Sequence, residues 1–356
     1  MMKAVYLTSW AALNTVPETV SFGDVPAPPP PKKDEVLISV KAASINTDDI
    51  PLLQDSACGG WLFHTRKPTT SDPLVGGMDY SGIVLAVGPD CKRVKVGDRV
   101  CGISKVAEYQ RGTWAEQTLY PESDVCLISS ADISFVDAAA VAMGAFVNFD
   151  MISHAAKVLP TQSRCLVVGA SGALGTVMLQ MLQKYESCHV TAVCSGKNAE
   201  TCLSMGANAT VDYTKGPFGE QLQDAEQFDV VFDFVGGLNV LRNSEPLLKK
   251  NCQFVTAVGD RQNLGDRILT FSEFASSAGA IVRRSLCGCG GAYKYVMSGS
   301  YPPLTEQIWK ESALAGARAA IAEEVPFAEE PIRAALRRVA SHHPGGRVVI
   351  NLERSV

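Results

Sequence analysis

Short runs of alternating apolar and polar residues, punctuated by glycine and proline, fill roughly the first third of the chain. The runs with the length and period of strands are EVLISVKAASI (35–45), SGIVLAVG (81–88), DRVCGIS (98–104) and WAEQTLY (114–120). Strands spaced this closely predict a small β-barrel of mostly antiparallel strands. Residues 55–73 have no clear period, and we expect a long loop there.

From residue 137 the pattern changes to helical segments that alternate with strands. The first helical segment is Ala-rich and covers residues 137–159. The predicted strands after it are CLVVGA (165–170), HVTAV (189–193), FDVVFDFVGG (228–237), QFVTAVGD (253–260) and GAIVRRSLC (279–287). The helices predicted between and after them cover residues 176–185, 199–206, 240–249, 304–320 and 329–342, and GRVVINL (346–352) closes the chain as a strand. This alternation predicts βαβ units and a parallel sheet.

Composition and charge narrow the possible partners. Apolar residues make up 46% of the 356 residues, the net charge is −5, and no run of Lys and Arg is longer than a pair. We therefore expect no nucleic-acid partner and no anionic membrane, and a small-molecule partner instead. The 11 cysteines include no C-x-x-C pair, which favours buried free thiols over a zinc ribbon or a disulfide framework. We find no signal-peptide pattern and no apolar run near the length of a membrane span, so we expect a cytoplasmic protein.

The stretch LVVGASGALGTVMLQ (166–180) carries the first chemical signal. Its glycines stand three apart between a predicted strand and a predicted helix, which is the context of a dinucleotide-binding turn. Gly172 would let backbone N–H groups approach a pyrophosphate, and Gly175 would let the helix pack closely on the strand. The alternative is a tight turn with no ligand.

The end of the next predicted strand indicates which dinucleotide binds. NAD sites usually place an acidic residue there, but HVTAV continues into Cys194, Ser195, Gly196 and Lys197, and the first carboxylate is Glu200. A hydroxyl and an ammonium group suit a 2′-phosphate, so NADPH is preferred over NADH. An ordinary exposed lysine remains the alternative for Lys197.

Several motifs together resemble a known family. They are GDVPAPPPPKKDEVLISVKAASINTDD, GGMDYSGIVLAVG, KRVKVGDRVCG, RGTWAEQTL, VVGASGALG, FDFVGG and GGRVVINL. The chain resembles the zinc-independent quinone oxidoreductases of the medium-chain dehydrogenase/reductase superfamily, in the zeta-crystallin and reticulon-interacting-protein branch. The resemblance implies an α/β fold with a GroES-like β-barrel catalytic domain (1–135, completed by 296–356) and a central Rossmann domain (136–295), a doubly wound parallel sheet.

The resemblance also implies a set of NADPH-binding residues. They are Ser171, Gly172, Ala173, Leu174, Gly175, Ser195, Lys197, Tyr213, Val235, Val258, Tyr293 and His343. Ala173 stands where glycine is usual, and simple packing is the alternative for Tyr293. His343 belongs to a polar turn, and the alternative to cofactor binding is an ordinary solvent-exposed histidine.

The residues at the metal position of the superfamily argue against zinc. Asn46 stands where a cysteine ligand would be, and Gly77, Met78 and Asp79 stand where Gly-His-Glu would be. A carboxamide and a thioether do not suit tetrahedral zinc, so no metal is expected. Without a Lewis acid, reduction of a quinone or an enone is favoured over alcohol oxidation. The resemblance implies that Asn46, Asp49 and Tyr80 lie near the substrate pocket. The alternative for Asp49 is capping of the turn after Asn46, and the alternative for Tyr80 is packing in the core.

Departures from the family leave other functions open. Phe146, Val147 and Asn148 replace the usual Leu-Thr-Ala, and Phe234 replaces an asparagine, so polar groups near the cofactor are lost. The alternatives are a cofactor-binding protein of low turnover that acts as a structural or interaction partner, and an enoyl reductase that acts in trans on thioester-bound chains. A homodimer is expected, paired through GAIVRRSLC as an edge strand, unless Arg283 and Arg284 keep that edge solvated.

Overall fold

A computed structural model gives the fold. It describes residues 1–55, 67–104, 112–128, 130–155, 163–183, 188–262, 270–287, 293–297, 317–342 and 344–354. The predicted loop at 55–73 and the predicted helix at 304–320 lie largely outside these ranges.

The amino-terminal part consists of short strands and two single-turn helices. The strands are β1 (Met2–Leu7), β2 (Ser21–Val25), β3 (Glu35–Ile45), β4 (Leu74–Val75), β5 (Asp79–Val87), β6 (Arg99–Ile103), β7 (Gln117–Pro121) and β8 (Val125–Leu127). The helices are α1 (Val16–Thr19) and α2 (Asp49–Leu52). The predicted strand at 35–45 is confirmed residue for residue.

The middle of the chain alternates helices and strands. In chain order these are α3 (Phe135–Ala155), β9 (Arg164–Val168), α4 (Ala173–Leu182), β10 (His189–Cys194), α5 (Ala199–Ser204), β11 (Ala209–Asp212), α6 (Phe218–Gln221), β12 (Phe228–Asp233), α7 (Leu238–Ser244), β13 (Leu248–Thr256), α8 (Phe271–Cys287) and β14 (Tyr293–Met297). The six strands form one sheet in the order β11-β10-β9-β12-β13-β14, and every pair is parallel. This is the strand order of the doubly wound dinucleotide-binding fold, as predicted.

The carboxyl-terminal part returns to the barrel with β15 (Ile321–Pro326), α9 (Glu329–Ala340) and β16 (Arg347–Asn351). The main barrel sheet has the order β15-β16-β3-β5-β6-β8, with β7 also paired to β3, and a second sheet has the order β2-β1-β4. Because β16 pairs with β3, the carboxyl-terminal residues belong to the same barrel as the amino-terminal strands.

The helix α3 joins the two parts of the molecule. Its main chain accepts hydrogen bonds from two barrel serines, Ser44 Oγ to Ala139 O at 3.0 Å and Ser81 Oγ to Phe135 O at 2.5 Å. Farther along the same helix, Asn148 Nδ2 donates to Leu174 O at 2.9 Å at the start of α4. The small side chains of the Ala-rich sequence let the helix approach both layers closely.

The length of α3 corrects one expectation. The sequence suggested no apolar run near the length of a membrane span, but α3 has 21 residues and is apolar enough to cross a bilayer. Its most apolar stretch is 78% buried inside the protein, so in this fold α3 is a core helix.

The segment GAIVRRSLC (279–287) was predicted as a strand, and that prediction is wrong. It forms the second half of α8, and the edge of the parallel sheet is β14 instead. The apolar positions of 279–287 fit a helix as well as a strand, and helix α8 begins eight residues earlier, at Phe271. The predicted helix at 240–249 also ends early, because residues 248 and 249 already belong to β13.

The carboxylate of Glu122 holds the barrel loop 92–94 through hydrogen bonds. It accepts backbone hydrogen bonds from Lys92, Arg93 and Val94 at 2.6–3.1 Å. Partial burial works to raise the pKa of Glu122, but these hydrogen bonds outweigh it, and the pKa lies below its ordinary value. A lowered pKa stabilises the fold above the pKa of the unfolded chain, and this stabilisation is lost as the pH falls through the folded pKa.

We expect Glu122→Gln to lower the unfolding free energy at neutral pH by about 2 kcal/mol, since hydrogen bonds to a charged acceptor are lost. The loss should shrink as the pH falls below the ordinary glutamate range. Urea unfolding of both proteins across an acid-to-neutral series measures this. Glu116→Gln is the control, because Glu116 accepts one exposed backbone bond. Equal losses at every pH would contradict the assignment.

Candidate active site

The strand order of the parallel sheet reverses at its centre, where β9 and β12 lie side by side. The helices that follow these two strands lie on opposite sides of the order reversal, which is the point where open α/β sheets bind ligands. We call this region the cofactor crevice and define it by the turn 169–172 and the loops 234–237 and 257–259.

The turn after β9 has a backbone conformation and a helix contact that both require glycine. Gly169 has φ +80°, a conformation that favours glycine, and its N–H and that of Ala170 donate to Val193 O at 3.2 Å. A Cβ on Gly175 would come within 2.7 Å of the Ala170 backbone and still closer to Gly169 O. Helix α4 therefore packs against the turn at a distance that only glycine allows.

The predicted pyrophosphate-binding residues lie at the amino terminus of α4. Gly172 is exposed, and Ser171, Ala173 and Leu174 are partly exposed, so the first N–H groups of a ten-residue helix border the crevice. Such N–H groups have no partner within the helix and suit an anion. These residues fit the pyrophosphate of a nicotinamide dinucleotide.

A buried pair of side chains holds the loops on the other side. Asp233 Oδ1 accepts from the N–H groups of Val235 and Gly236, both at 2.9 Å, and Oδ2 accepts from Thr256 Oγ1 at 2.8 Å. Thr256 Oγ1 in turn accepts from the N–H groups of Val258 and Gly259 at 3.1 and 2.9 Å. Burial raises the pKa of Asp233, against these hydrogen bonds. The pair thus fixes the positions of Val235 and Val258, the two residues predicted from the resemblance.

The residues predicted for the 2′-phosphate follow β10 and β11. Ser195 is buried, Lys197 is exposed, and Tyr213 is 53% exposed. Asn198 Nδ2 donates to Ser171 Oγ at 3.1 Å and so joins this loop to the pyrophosphate turn. Sequence reasoning missed Asn198, because nothing in its spacing indicates a partner 27 residues away.

Asp212 brings a carboxylate into the same region. A Cβ on Gly196 would meet Asp212 at 3.3 Å from its carboxyl carbon, so the two are in close contact. Thr214 donates to Asp212 through its hydroxyl and its N–H, and these bonds hold the pKa of Asp212 below its ordinary value. The sequence argument looked for an acid only at the end of β10. The adjacent strand supplies one, and Lys215 lies close enough to lower the pKa of Asp212 further.

At the barrel side of α3, a buried charge cluster consists of Asn46, Asp49, Asp79 and Arg347. Asp79 Oδ1 accepts from Ser44 N at 2.6 Å, and Oδ2 accepts from Asn46 Nδ2 at 3.1 Å. Asp49 Oδ2 accepts from Asn46 N at 2.7 Å, which is the turn-capping alternative predicted for it. The cluster forms because β16, β3 and β5 are neighbours and bring these residues to one end of the sheet.

Arg347 completes the buried charge cluster. Its Nη1 donates to Asn46 Oδ1, and its Nε donates to Ala140 O at 3.1 Å. Burial lowers the pKa of Arg347, and the nearby carboxylates, Asp79 foremost, oppose that change. Burial raises the pKa of Asp79 and, more strongly, that of Asp49. The arginine was visible in the sequence only as part of GGRVVINL, with no sign that its side chain would turn inward.

The donor set at this place does not fit a zinc ion. Both ends of the Asn46 amide are used within the cluster, and Met78 offers only a thioether. A guanidinium already bonded to Asn46 would also repel a dication. Across the described ranges, no group of three or more His, Cys, Asp or Glu side chains could hold a metal ion.

Other predicted residues lie elsewhere. Tyr80 is fully buried, stacks on Tyr120 with ring centroids 5.3 Å apart, and lies in the barrel core, its alternative role. Tyr293 belongs to β14, but its side chain is outside the described part of the structure, and His343 is outside it altogether. Phe146, Val147 and Asn148 are buried in α3.

Comparison with known proteins decides the family. Residues 32–130 match the alcohol dehydrogenase GroES-like domain, and residues 205–350 match the zinc-binding dehydrogenase model. The mitochondrial NAD(P)H oxidoreductase RTN4IP1 of Danio rerio is 30% identical over 348 residues, which cover 90% of this chain and 84% of that protein. The chain belongs to the quinone oxidoreductase-like medium-chain dehydrogenases/reductases. As a member of this family it is an oxidoreductase that uses a nicotinamide cofactor.

The chain is also similar to a curated reductase in sequence and to a solved quinone oxidoreductase in fold. The trans-enoyl reductase pgmF of Aspergillus terreus is 32% identical over 209 residues, which cover 57% of this chain and 55% of that protein. The quinone oxidoreductase of Coxiella burnetii has the same fold, with a TM-score of 0.77, 20% identity and 99% coverage of both chains. The predicted GroES-like and Rossmann architecture is thereby confirmed.

Proposed function

We propose that the chain is an NADPH-dependent reductase of quinones or of the activated double bonds of enones and enals, and that it works without a metal. The observation that carries the proposal is the buried charge cluster, which places a guanidinium and a fully bonded amide where zinc-dependent members need metal ligands. A site without a Lewis acid suits an acceptor that spreads its own developing charge over a conjugated system.

The residues of the site have separate tasks in this proposal. The amino terminus of α4 binds the pyrophosphate, and Asp233 with Thr256 holds the loops that border the nicotinamide side. When bound, NADPH supplies the hydride. Barrel and sheet enclose the acceptor between them and limit its exposure to water.

Steady-state oxidation of NADPH by the full-length protein tests the proposal. A panel of quinones, enones and enals is mixed with protein and NADPH, and the absorbance of the reduced nicotinamide is followed. We expect turnover with at least one conjugated acceptor that is unchanged by a metal chelator. Binding of NADPH without oxidation by any acceptor would instead favour the cofactor-binding protein of low turnover.

Reduction of thioester-linked enoyl chains is a second candidate. The similarity to the trans-enoyl reductase pgmF favours it. The same assay with an enoyl pantetheine thioester and the matching free enone separates the two candidates. Turnover of the thioester alone would support the second and count against the first.

The preference for NADPH gives a prediction at Lys197. We expect Lys197→Ala to weaken NADPH binding about tenfold and to leave NADH binding nearly unchanged, because only the 2′-phosphate meets the ammonium group. Fluorescence titration of each nucleotide measures both constants. Lys250→Ala is the control, since Lys250 is exposed on β13, away from the cofactor crevice. Equal weakening of NADPH and NADH would contradict the phosphate assignment, and Asp212 would then favour NADH.

We also propose a homodimer that binds small-molecule acceptors in each copy. The parallel sheet ends at β14 in the described chain, and pairing of two such edges would satisfy their backbone groups. Light scattering measures the mass directly. The cytoplasmic location stays a prediction.

A further inference from the structure

The guanidinium of Arg347 is buried, and two of its three nitrogens donate hydrogen bonds. The residue is 3% exposed, and Nε and Nη1 are bonded to Ala140 O and Asn46 Oδ1. Nη2 is buried and has no hydrogen-bond partner. A buried cation is costly unless it is compensated, and the carboxylates of Asp79, Asp49 and Asp48 provide the compensating charge.

Asn46 connects the buried Arg347 to the turn 46–49 at the protein surface. Its Oδ1 accepts from Arg347, its Nδ2 donates to Asp79, and its backbone N donates to Asp49, so the residue has one fixed orientation. The next two residues, Thr47 and Asp48, are exposed. The turn 46–49 is therefore anchored from inside the protein and faces outward.

Helix α3 places this turn relative to the cofactor crevice. Arg347 binds the helix at Ala140, and Asn148 binds Leu174 at the pyrophosphate turn. Eight residues separate the two contacts, which corresponds to about 12 Å along a helix axis. Arg347 and the pyrophosphate turn therefore contact the same helix about two turns apart.

We propose that Arg347 is a positioning residue for the reductase reaction: through Asn46 it fixes the turn 46–49, which forms the acceptor side of the cofactor crevice. The acceptor class is the conjugated carbonyl compound of the proposed function, whose reacting carbon must be held against the cofactor. The inference rests on the proposed function and adds the residue that holds the acceptor side in place.

The test compares Arg347→Met, Arg347→Lys and a matched control, Arg333→Met. Arg333 is also a well-bonded arginine, with bonds to Pro17 O, Glu18 O and Val20 O, but it lies on α9. For each protein we measure the melting temperature, the dissociation constant of NADPH, kcat and KM with the acceptor, and the affinity of NADP⁺-loaded protein for the same quinone. The last measurement involves no turnover.

Arg347→Met should lower kcat about a hundredfold and weaken quinone binding to the NADP⁺ complex, while NADPH affinity stays within about twofold. Arg347→Lys should recover about tenfold of the lost kcat. Arg333→Met should lower only the melting temperature. If Arg347→Met does not fold, Asn46→Ala breaks the same link and should reproduce the loss of kcat.

The proposal is overturned if Arg347→Met retains kcat within twofold, or if it lowers kcat and NADPH affinity by the same factor. A failure of the proposed function looks different, because the wild type would then bind NADPH and quinone but oxidise no NADPH. In that case the quinone affinity of the NADP⁺ complex still decides whether Arg347 positions the acceptor side.

Discussion

Gly175→Ala should destabilise the protein by about 2–3 kcal/mol and weaken NADPH binding at least tenfold. The new Cβ would come within 2.7 Å of the Ala170 backbone and closer still to Gly169 O. Neither group is the flexible end of a side chain, so the turn itself must move. Because this turn places the first N–H groups of α4, its displacement removes the pyrophosphate site.

Gly279→Ala is the matched control for this prediction. Gly279 lies exposed in α8, and a Cβ there would meet nothing within 4 Å. Alanine is the better helix former, so the control should be slightly more stable than the wild type, by about 0.5–1 kcal/mol, with unchanged NADPH affinity. Urea unfolding and fluorescence titration give both numbers. Wild-type NADPH affinity in Gly175→Ala would show that the turn does not bind the cofactor.

Asp233→Ala should produce the second large effect. The substitution leaves the buried N–H of Gly236, the N–H of Val235 and the Thr256 hydroxyl without their acceptor. Each unpaired buried group costs about 1–3 kcal/mol, so we expect a loss of about 3 kcal/mol or more. NADPH affinity should also fall about tenfold, because the two loops beside the crevice lose their common anchor.

Asp229→Ala controls for the loss of a carboxylate from the same strand. Asp229 lies at the opposite end of β12, where it accepts from Arg164 N and pairs with Lys249. This variant should lose stability but keep its NADPH affinity. Thermal unfolding and calorimetric titration measure both quantities in the two variants. An equal loss of affinity in both would mean that Asp233 acts only through global stability.

The sequence allowed four of the six strands of the parallel sheet to be predicted: β9, β10, β12 and β13. These four are short apolar runs, as expected for strands that are buried on both faces. The two outer strands, β11 (Ala209–Asp212) and β14 (Tyr293–Met297), were not predicted. The segment 279–287 failed because its apolar residues are compatible with both periods. The helical period becomes visible only when the preceding residues of α8 are included, since Phe271, Phe274 and Ala278 recur at helical spacing.

The candidate site was predictable only where local spacing determines it. The glycines of the α4 turn belong to one contiguous stretch, so their relation is visible in the sequence. The buried charge cluster joins Asn46, Asp79 and Arg347, and Arg347 lies 301 residues from Asn46. Only the pairing of β16 with β3 brings them together, and no local pattern reports it.

The central claim is that the cofactor crevice binds a nicotinamide dinucleotide and prefers the one with a 2′-phosphate. Calorimetric titration of the full-length protein with NADPH and with NADH tests this most directly. The account predicts one site per chain and an affinity for NADPH at least about tenfold higher than for NADH. No heat of binding with either nucleotide, or tighter binding of NADH, would contradict it.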